Sequence, residues 1–229
     1  MKLNITKLQI NGKTILKDID IQVKAGSCIA ILGRNGAGKS SLLYGITNHP
    51  KYVIDGDVNL ETEKVFMSFQ KPPEIPEITT KDLLLYLANT YDKPCESVEE
   101  FKKTYRSLLN ELGFPVHVFD SALNKDLSGG ENKKLELLCM HLMKPNLILL
   151  DEIDTGLDLD SVIELGNSLK AYCDLYSPTV VVVTHNMEFL KYFKLKKVVV
   201  FDNGKSVGEF PPTIVKQIKE QGFLKTFKI

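Results

Sequence analysis

A continuous apolar run, Cys28–Leu32, leads without a spacer into Gly33-Arg34-Asn35-Gly36-Ala37-Gly38-Lys39-Ser40 and then into a helix-forming stretch from Lys39 to about Thr47. No other feature restricts the possible folds as tightly. An uninterrupted apolar run suits a strand buried on both faces of a parallel sheet. Gly33, Gly36 and Gly38 permit a tight turn that delivers several backbone N–H groups to one point at a helix N-terminus, where the helix dipole adds partial positive charge. The spacing matches GxxxxGK[ST] without deviation. In such a loop Lys39 reaches the β- and γ-phosphates of a nucleoside triphosphate, and the Ser40 hydroxyl is offered to Mg²⁺. A glycine-rich turn with no ligand is the plainer alternative, and the strand before and the helix after argue against it. Gly33, Arg34, Asn35, Gly36, Ala37, Gly38, Lys39, Ser40 and the adjoining Ser41 are therefore the candidate nucleotide-binding residues.

The remaining pattern says what surrounds this loop. Leu3–Ile10, Thr14–Leu16 and Ile19–Val23 read as strands, with Asn11-Gly12 as a two-residue hairpin turn. Lys64–Phe69 reads as a further strand. The three prolines of KPPEIPEIT argue against regular structure there. Helical patterns follow from Thr80 to Gly113; Ser97 opens the second helix with Glu100 three places on, and Gly113 ends it. Another helix begins at Ser128, with Glu131 at capping-box spacing, and runs to about Met143. Strands return at Leu147–Leu150, Thr179–Val183 and Lys197–Phe201, with helices at about Leu159–Leu175 and Met187–Phe193. Alternating strands and helices predict an α/β fold with a mainly parallel sheet. The expected organisation is a nucleotide-binding core of residues 1–70 and 145–229, with residues 71–144 as an inserted helical subdomain and an antiparallel N-terminal β-subdomain.

Two carboxylates, Asp151 and Glu152, end the apolar strand Leu147–Leu150. At the C-terminal end of a parallel strand Asp151 would lie beside the phosphate loop and hold Mg²⁺, and Glu152 would face the γ-phosphate and polarise the attacking water. Alone, the pair would pass for a solvated strand edge; the phosphate loop elsewhere in the chain is what gives it meaning. Leu127-Ser128-Gly129-Gly130-Glu131 sets a second anion-ready helix N-terminus in the same chain. One nucleotide does not need two, so Ser128, Gly129 and Gly130 are expected to face the γ-phosphate held by a second subunit. A plain capped turn is the alternative.

LSGGE resembles the signature of ATP-binding-cassette ATPases, and the resemblance extends over nearly the whole chain. It implies a P-loop ATPase that binds ATP with Mg²⁺ and associates with itself in an ATP-dependent manner. Gln70 resembles the family's Q-loop glutamine, which contacts Mg²⁺ and couples the nucleotide to a partner. His185, after TVVVVT, resembles the switch histidine that contacts the γ-phosphate alongside Glu152. Asp154-Thr155-Gly156-Leu157-Asp158 resembles the D-loop that crosses the dimer interface, with Asp158 its best candidate. Where the family commonly stacks adenine on an aromatic ring, this chain has Ile10, so adenine packing is expected to be apolar and discrimination against GTP weak.

Four stretches resemble one branch, the ATPase of the Suf iron–sulfur cluster assembly machinery: Val65–Thr79, Leu127–Lys134, Leu149–Val162 and Ile214–Phe223. That branch implies a soluble, β-rich Suf-type scaffold partner (SufB/SufD-like), docked by the Gln70–Thr79 loop and neighbouring helices. Two readings of Lys133 stay open with it: an ion pair with Glu152 in the resting subunit, or a solvated helix residue. Leu83–Asp126 is short for the branch, and Asn186 and the tail after Phe223 depart from it. A transporter's ATPase subunit, with a membrane protein as partner, is the competing assignment.

Composition narrows the partners. Among 229 residues Lys+Arg and Asp+Glu both number 29, so the basic excess of a non-specific nucleic-acid binder is missing. The basic run Lys194–Lys197 reads as a solvated face. The cysteines Cys28, Cys95, Cys139 and Cys173 form no CxxC pair and suit a reducing, cytoplasmic setting. The N-terminus has no signal-peptide core and the apolar runs are too short for a membrane span, so direct membrane insertion is not expected. His49, His117 and His141 are read as structural.

Overall fold

In the computed structural model, which describes residues 1–62 and 64–227, strand β1 (Lys2–Ile10) turns through Asn11-Gly12 into β2 (Lys13–Gln22). Both turn residues have positive φ, 50° and 77°, the primed-turn geometry that Asn-Gly tolerates. The two strand segments expected between Thr14 and Val23 are one strand. Asp18, at φ 53°, interrupts its pairing with β1 between Lys17↔Lys7 and Ile19↔Ile5 without ending it. Strand β3 (Cys28–Gly33) is buried along its whole length and feeds helix α1 (Lys39–Ile46) through the glycine-rich loop.

Strand β4 (Tyr52–Asn59) was not among the strands expected from the sequence, and its Asp55-Gly56-Asp57 segment resembles a turn. It is a bulge instead. Gly56 sits at φ 135°, and a Cβ there would lie 2.2 Å from the Asn4 carbonyl oxygen. The register between β1 and β4 shifts at that point, between Ile5 and Lys7. With β5 (Val65–Ser68), β8 (Leu147–Asp151), β9 (Thr179–Val183), β10 (Leu195–Asp202) and β11 (Lys205–Phe210), these strands form one nine-stranded sheet in the order β4-β1-β2-β11-β10-β3-β9-β8-β5. Neighbours among β10, β3, β9 and β8 run parallel, while β4, β1 and β2 are antiparallel. The N-terminal antiparallel strands join the parallel part at a single pairing, Lys205↔Lys17.

Packing divides the chain into two compact units. The first comprises residues 1–67, 146–152 and 177–229, and the second 68–145 and 153–176. In the first, Ile29 and Ile31 of β3, Leu147 and Leu149 of β8 and Val181 and Val183 of β9 share a core with Leu42, Leu43 and Ile46 of α1. Helices α7 (Ile214–Gln221) and α8 (Phe223–Phe227) follow β11. Residues 228–229 of the divergent tail lie outside the described residues.

The second unit holds β6 (Ile75–Thr79), α2 (Thr80–Tyr91), α3 (Val98–Thr104), α4 (Arg106–Glu111), β7 (Ala122–Leu123), α5 (Gly129–Met143) and α6 (Leu159–Tyr176). Helix α6, placed in the core by the sequence reading, packs in this unit. Part of the proline-rich stretch is strand after all: β6 pairs with β7 at Ile75↔Leu123 and Thr79↔Ala122, with Pro76 between the paired positions. Such a two-point edge pairing does not need the N–H that proline lacks. The single helix expected from Ser97 to Gly113 breaks at Tyr105 (φ −103°, ψ 18°). The ring of Tyr105 is buried against Phe101, and its hydroxyl accepts from the Lys93 N–H at 3.0 Å. Ser97 does cap Glu100 N–H, but the Glu100 carboxylate bonds the Glu96 N–H, so the reciprocal half of the box is not formed with Ser97.

Candidate functional site

In the first unit, the loop from Gly33 to Gly38 is held open by its glycines. A Cβ on Gly38, whose φ is 97°, would meet the buried Leu16 side chain at 2.4 Å. A Cβ on Gly36, whose φ is 79°, would meet nothing within 4 Å, so the requirement there is for backbone conformation alone. Gly38 is the N-cap of α1 and supplies no side-chain cap to the first-turn N–H groups. Ala37 is buried while Arg34, Asn35 and Gly36 are exposed, so the loop's rim faces solvent.

Lys39 is buried, and its ammonium donates to the Gly33 carbonyl at 3.0 Å and the Arg34 carbonyl at 3.1 Å. Burial pushes its pKa below the ordinary lysine value, with the Glu152 and Asp151 carboxylates opposing that shift. Ser40 Oγ donates to Asp151 Oδ1 at 2.8 Å. Asp151 is buried at the end of β8. Glu152, the next residue, adopts φ 48°, a left-handed conformation uncommon for a non-glycine residue and typical of strained functional positions. Its N–H is fixed by the Val183 carbonyl at 2.9 Å.

His185 Nε2 lies 3.0 Å from Glu152 Oε1 and 3.2 Å from Lys39 Nζ. One ring nitrogen cannot serve both at once. As N–H it donates to Glu152, and as a bare lone pair it accepts from Lys39, so the tautomer decides which contact is a hydrogen bond. Asn186, the departure after His185, shapes the following turn. Its Oδ1 accepts from the Glu188 and Phe189 N–H groups at 3.0 and 3.3 Å, and the expected helix over Met187–Phe193 shrinks to a 3-10 turn, Phe189–Tyr192.

Lys39, Ser40, Asp151, Glu152 and His185 are thus brought together. An ammonium, an uncapped helix N-terminus and a hydroxyl–carboxylate pair fit a phosphate chain with a hard divalent cation. Among the described residues no group of three or more His, Cys, Asp or Glu could hold a metal by themselves. Mg²⁺ takes one or two protein ligands and completes its shell with phosphate oxygens and water, and the Ser40–Asp151 pair offers two. Ile10 ends β1, half-buried.

The other expected residues belong to the second unit. Gln70 is exposed and follows Phe69, whose peptide is bonded on both sides by Glu136 and Lys133. Ser128 and Gly129 are exposed at the start of α5. Ser128 forms a complete capping box with Glu131: its N–H and hydroxyl donate to Glu131 Oε2 at 2.8 and 2.7 Å, and its Oγ accepts from the Glu131 N–H. Asp158 is also exposed and accepts from the Ser161 N–H at 2.8 Å, capping the start of α6. A Cβ on Gly129 would lie 3.5 Å from Leu157 Cδ2, so the serine–glycine tip and the Asp154–Asp158 loop are neighbours.

Within the second unit, Lys133 is bonded to its own helix and to Phe69. Lys133 Nζ contacts Glu136 Oε2 at 2.7 Å and donates to the Phe69 carbonyl at 2.9 Å, while Glu152 is with His185. Glu136, three residues along the same helix face, is the nearer carboxylate. Sequence reading missed Glu136 altogether, although its i,i+3 spacing from Lys133 was a usable signal. His117, read as structural, has its Nε2 2.7 Å from Glu131 Oε1. His49 and His141 pack against tyrosine rings. All four cysteines are free thiols.

The model of the family described as ABC transporter matches residues 16–155. A probable ATP-dependent transporter of Synechocystis sp. is 32% identical over 232 residues, covering 93% of this chain and 90% of its own length. A probable ABC transporter ATP-binding protein of Streptococcus pyogenes serotype M18 is 31% identical over 242 residues, covering 97% and 93%. Among solved structures, the dimeric post-hydrolysis state of the ATP-binding cassette MJ0796 bound to ADP and Pi superimposes with a TM-score of 0.72 at 23% identity. It covers 92% of this chain and 97% of that one. No helix among the described residues is long and apolar enough to cross a membrane.

Proposed function

Because the chain belongs to the ABC transporter family of ATPases, whose members bind Mg-ATP and hydrolyse it, we propose that it works as one of two identical heads closing around the nucleotide to drive a soluble Suf-type iron–sulfur scaffold. The observation that carries the composite site is the pair of helix N-termini. Helix α1 offers an uncapped end beside Lys39, Ser40 and Asp151, and α5 presents Ser128 and Gly129 to solvent. In this reading the second end completes the γ-phosphate site of a twin subunit, with Gln70 sensing the nucleotide and Asp158 at the dimer seam.

Mg²⁺ bound at Ser40 and Asp151 would neutralise charge on the β- and γ-phosphates. Lys39 and the α1 N–H groups orient the phosphate chain. Glu152, oriented by His185, accepts a proton from water as its oxygen bonds to the γ-phosphorus. The bond to the bridging oxygen breaks and ADP departs. Positioning and charge stabilisation supply most of the acceleration.

Glu152→Gln removes the base but preserves shape. Turnover should fall by about 10²–10³-fold, while Mg-ATP should now hold a dimer that elutes ahead of the monomer on size exclusion. A monomer in excess Mg-ATP and scaffold would refute the composite site. The Suf-type partner rests on the four stretches of resemblance, Ile214–Phe223 lying outside the nucleotide motifs. The names of the relatives favour a second reading, the ATPase subunit of a membrane transporter. Affinity purification of the Glu152→Gln protein from its own cell separates them: a soluble scaffold supports the first, a polytopic membrane protein the second.

A further inference from the structure

The Phe69 peptide, immediately before Gln70, is gripped on both sides by one pair of side chains from α5. Glu136 Oε1 accepts from the Phe69 N–H at 3.1 Å, and Lys133 Nζ donates to the Phe69 carbonyl at 2.9 Å. The two side chains are also bonded to one another, Nζ to Oε2, at 2.7 Å. Lys133 and Glu136 are both buried, at 6% and 9% exposure. Burying an ammonium and a carboxylate is costly unless each is paired and its remaining hydrogen-bonding capacity is used. Here both side chains, and both backbone polar groups of Phe69, are satisfied within a closed ring.

A ring of this kind has little tolerance for sliding. Its members lose bonding partners in a dry setting if the strand end shifts relative to the helix, so it has a made state and a broken state rather than a continuum. Lys133 and Glu136 lie one and two turns from the α5 tip that carries Ser128, Gly129 and Gly130. The ring therefore joins the root of the Gln70 loop to the helix bearing the serine–glycine tip.

We propose that Lys133 and Glu136 are positioning residues that lock the Gln70 loop to the α5 tip, so that nucleotide contact at Gln70 and engagement of Ser128–Gly130 by a twin subunit are felt as one event. This rests on the composite-site reading. Neither residue touches the phosphate: they act through the Phe69 peptide and the helix.

The test uses the full chain with Glu152→Gln as background, so that turnover does not drain the bound state. Lys133→Met with Glu136→Leu replaces the ring by apolar side chains of similar volume, a change buried ion pairs often tolerate in stability. ATP binding by the isolated subunit, measured by calorimetry, should change less than about twofold. The Mg-ATP concentration that half-assembles the dimer should rise by about three- to thirtyfold, the range expected when a coupling element is lost. Lys133→Arg, which keeps a cation able to reach both acceptors, should restore most of the loss when Glu136 is retained. Unchanged assembly in the double variant overturns the lock, and absence of assembly in Glu152→Gln alone overturns the composite site instead.

If the double variant does not fold, hydrogen exchange of the unmodified ring in the Glu152→Gln protein decides. On adding Mg-ATP, protection should rise together across Phe69–Gln70 and Ser128–Glu131. Protection confined to one of the two segments counts against the lock.

Discussion

The two helix ends proposed to meet phosphate are built on opposite principles. The α1 end has no side-chain cap, a buried ammonium beside it and a hydroxyl committed to Asp151. The α5 end carries a capping box of its own side chains, Ser128 bonding Glu131 reciprocally. An uncapped N-terminus leaves N–H groups to be satisfied by an arriving anion, whereas a capping box satisfies them in advance. The first end is thus an incomplete site that nucleotide completes. The second is partly satisfied in advance, and Glu131 occupies the N–H and hydroxyl of Ser128 that a phosphate would otherwise engage. An anion reaching Ser128 must displace a carboxylate, which makes α5 a conditional contact engaged only when a strong competitor is delivered to it.

The largest effect should come from the first end. Lys39→Ala removes the one ammonium fixed inside the loop, and it should lower ATP turnover by about 10²–10³-fold. Nucleotide affinity should weaken in the same measurement. If Lys39→Ala leaves binding intact and Ser128→Ala abolishes it, the contrast between the two ends is inverted. Gly38→Ala tests the loop geometry behind that end. It places a Cβ against fully buried Leu16 at φ 97°, and it should destabilise by about 1–3 kcal/mol. Gly36→Ala, at φ 79° with open space around it, should carry only the backbone part. Equal melting shifts for the two variants would mean that Leu16 yields and contributes nothing.

Both ends were legible in the sequence because each is local. Glycine spacing, a capping-box serine and a strand ending in carboxylates are patterns within ten residues or fewer, fixed by backbone geometry. The hairpin at Asn11-Gly12 and the strand Thr179–Val183 were legible for the same reason. What failed was set by partners distant in sequence. Asp55-Gly56-Asp57 looks like a turn until β1 is seen beside it, where Gly56 alone fits. Tyr105 breaks a helical pattern because its ring is buried and its hydroxyl bonds Lys93. The surroundings of Lys133 were not legible for a related reason: the Glu136 carboxylate three residues away and the Phe69 carbonyl, distant in sequence, take up its ammonium. Motif spacing and resemblance pointed to the candidate nucleotide residues and were least informative about the buried polar ring of Lys133, Glu136 and Phe69.

The smallest effect belongs to the capped end, and it carries a pH signature. Ser128→Ala should cost about 1 kcal/mol, the usual worth of a serine N-cap, lowering Tm by about 2–4 °C for a chain of this size. The Ser128 hydroxyl, then its backbone N–H, hold the Glu131 carboxyl below the ordinary glutamate value, with His117 adding to the effect. A carboxyl whose folded pKa is depressed binds fewer protons in the folded state than in the unfolded chain. Its stabilisation is therefore fully present above the ordinary glutamate pKa and is lost as pH falls through the lowered folded value. The stability gap between wild type and Glu131→Gln should be present at neutral pH and should close as pH falls below about 4. Denaturant titrations of the two proteins, taken as a difference so that other carboxylates cancel, read this directly. A gap that stays constant into acid would show that Glu131 caps no better charged than neutral. The α5 end would then have no carboxylate standing in for phosphate, and its contrast with α1 would reduce to the presence or absence of a serine.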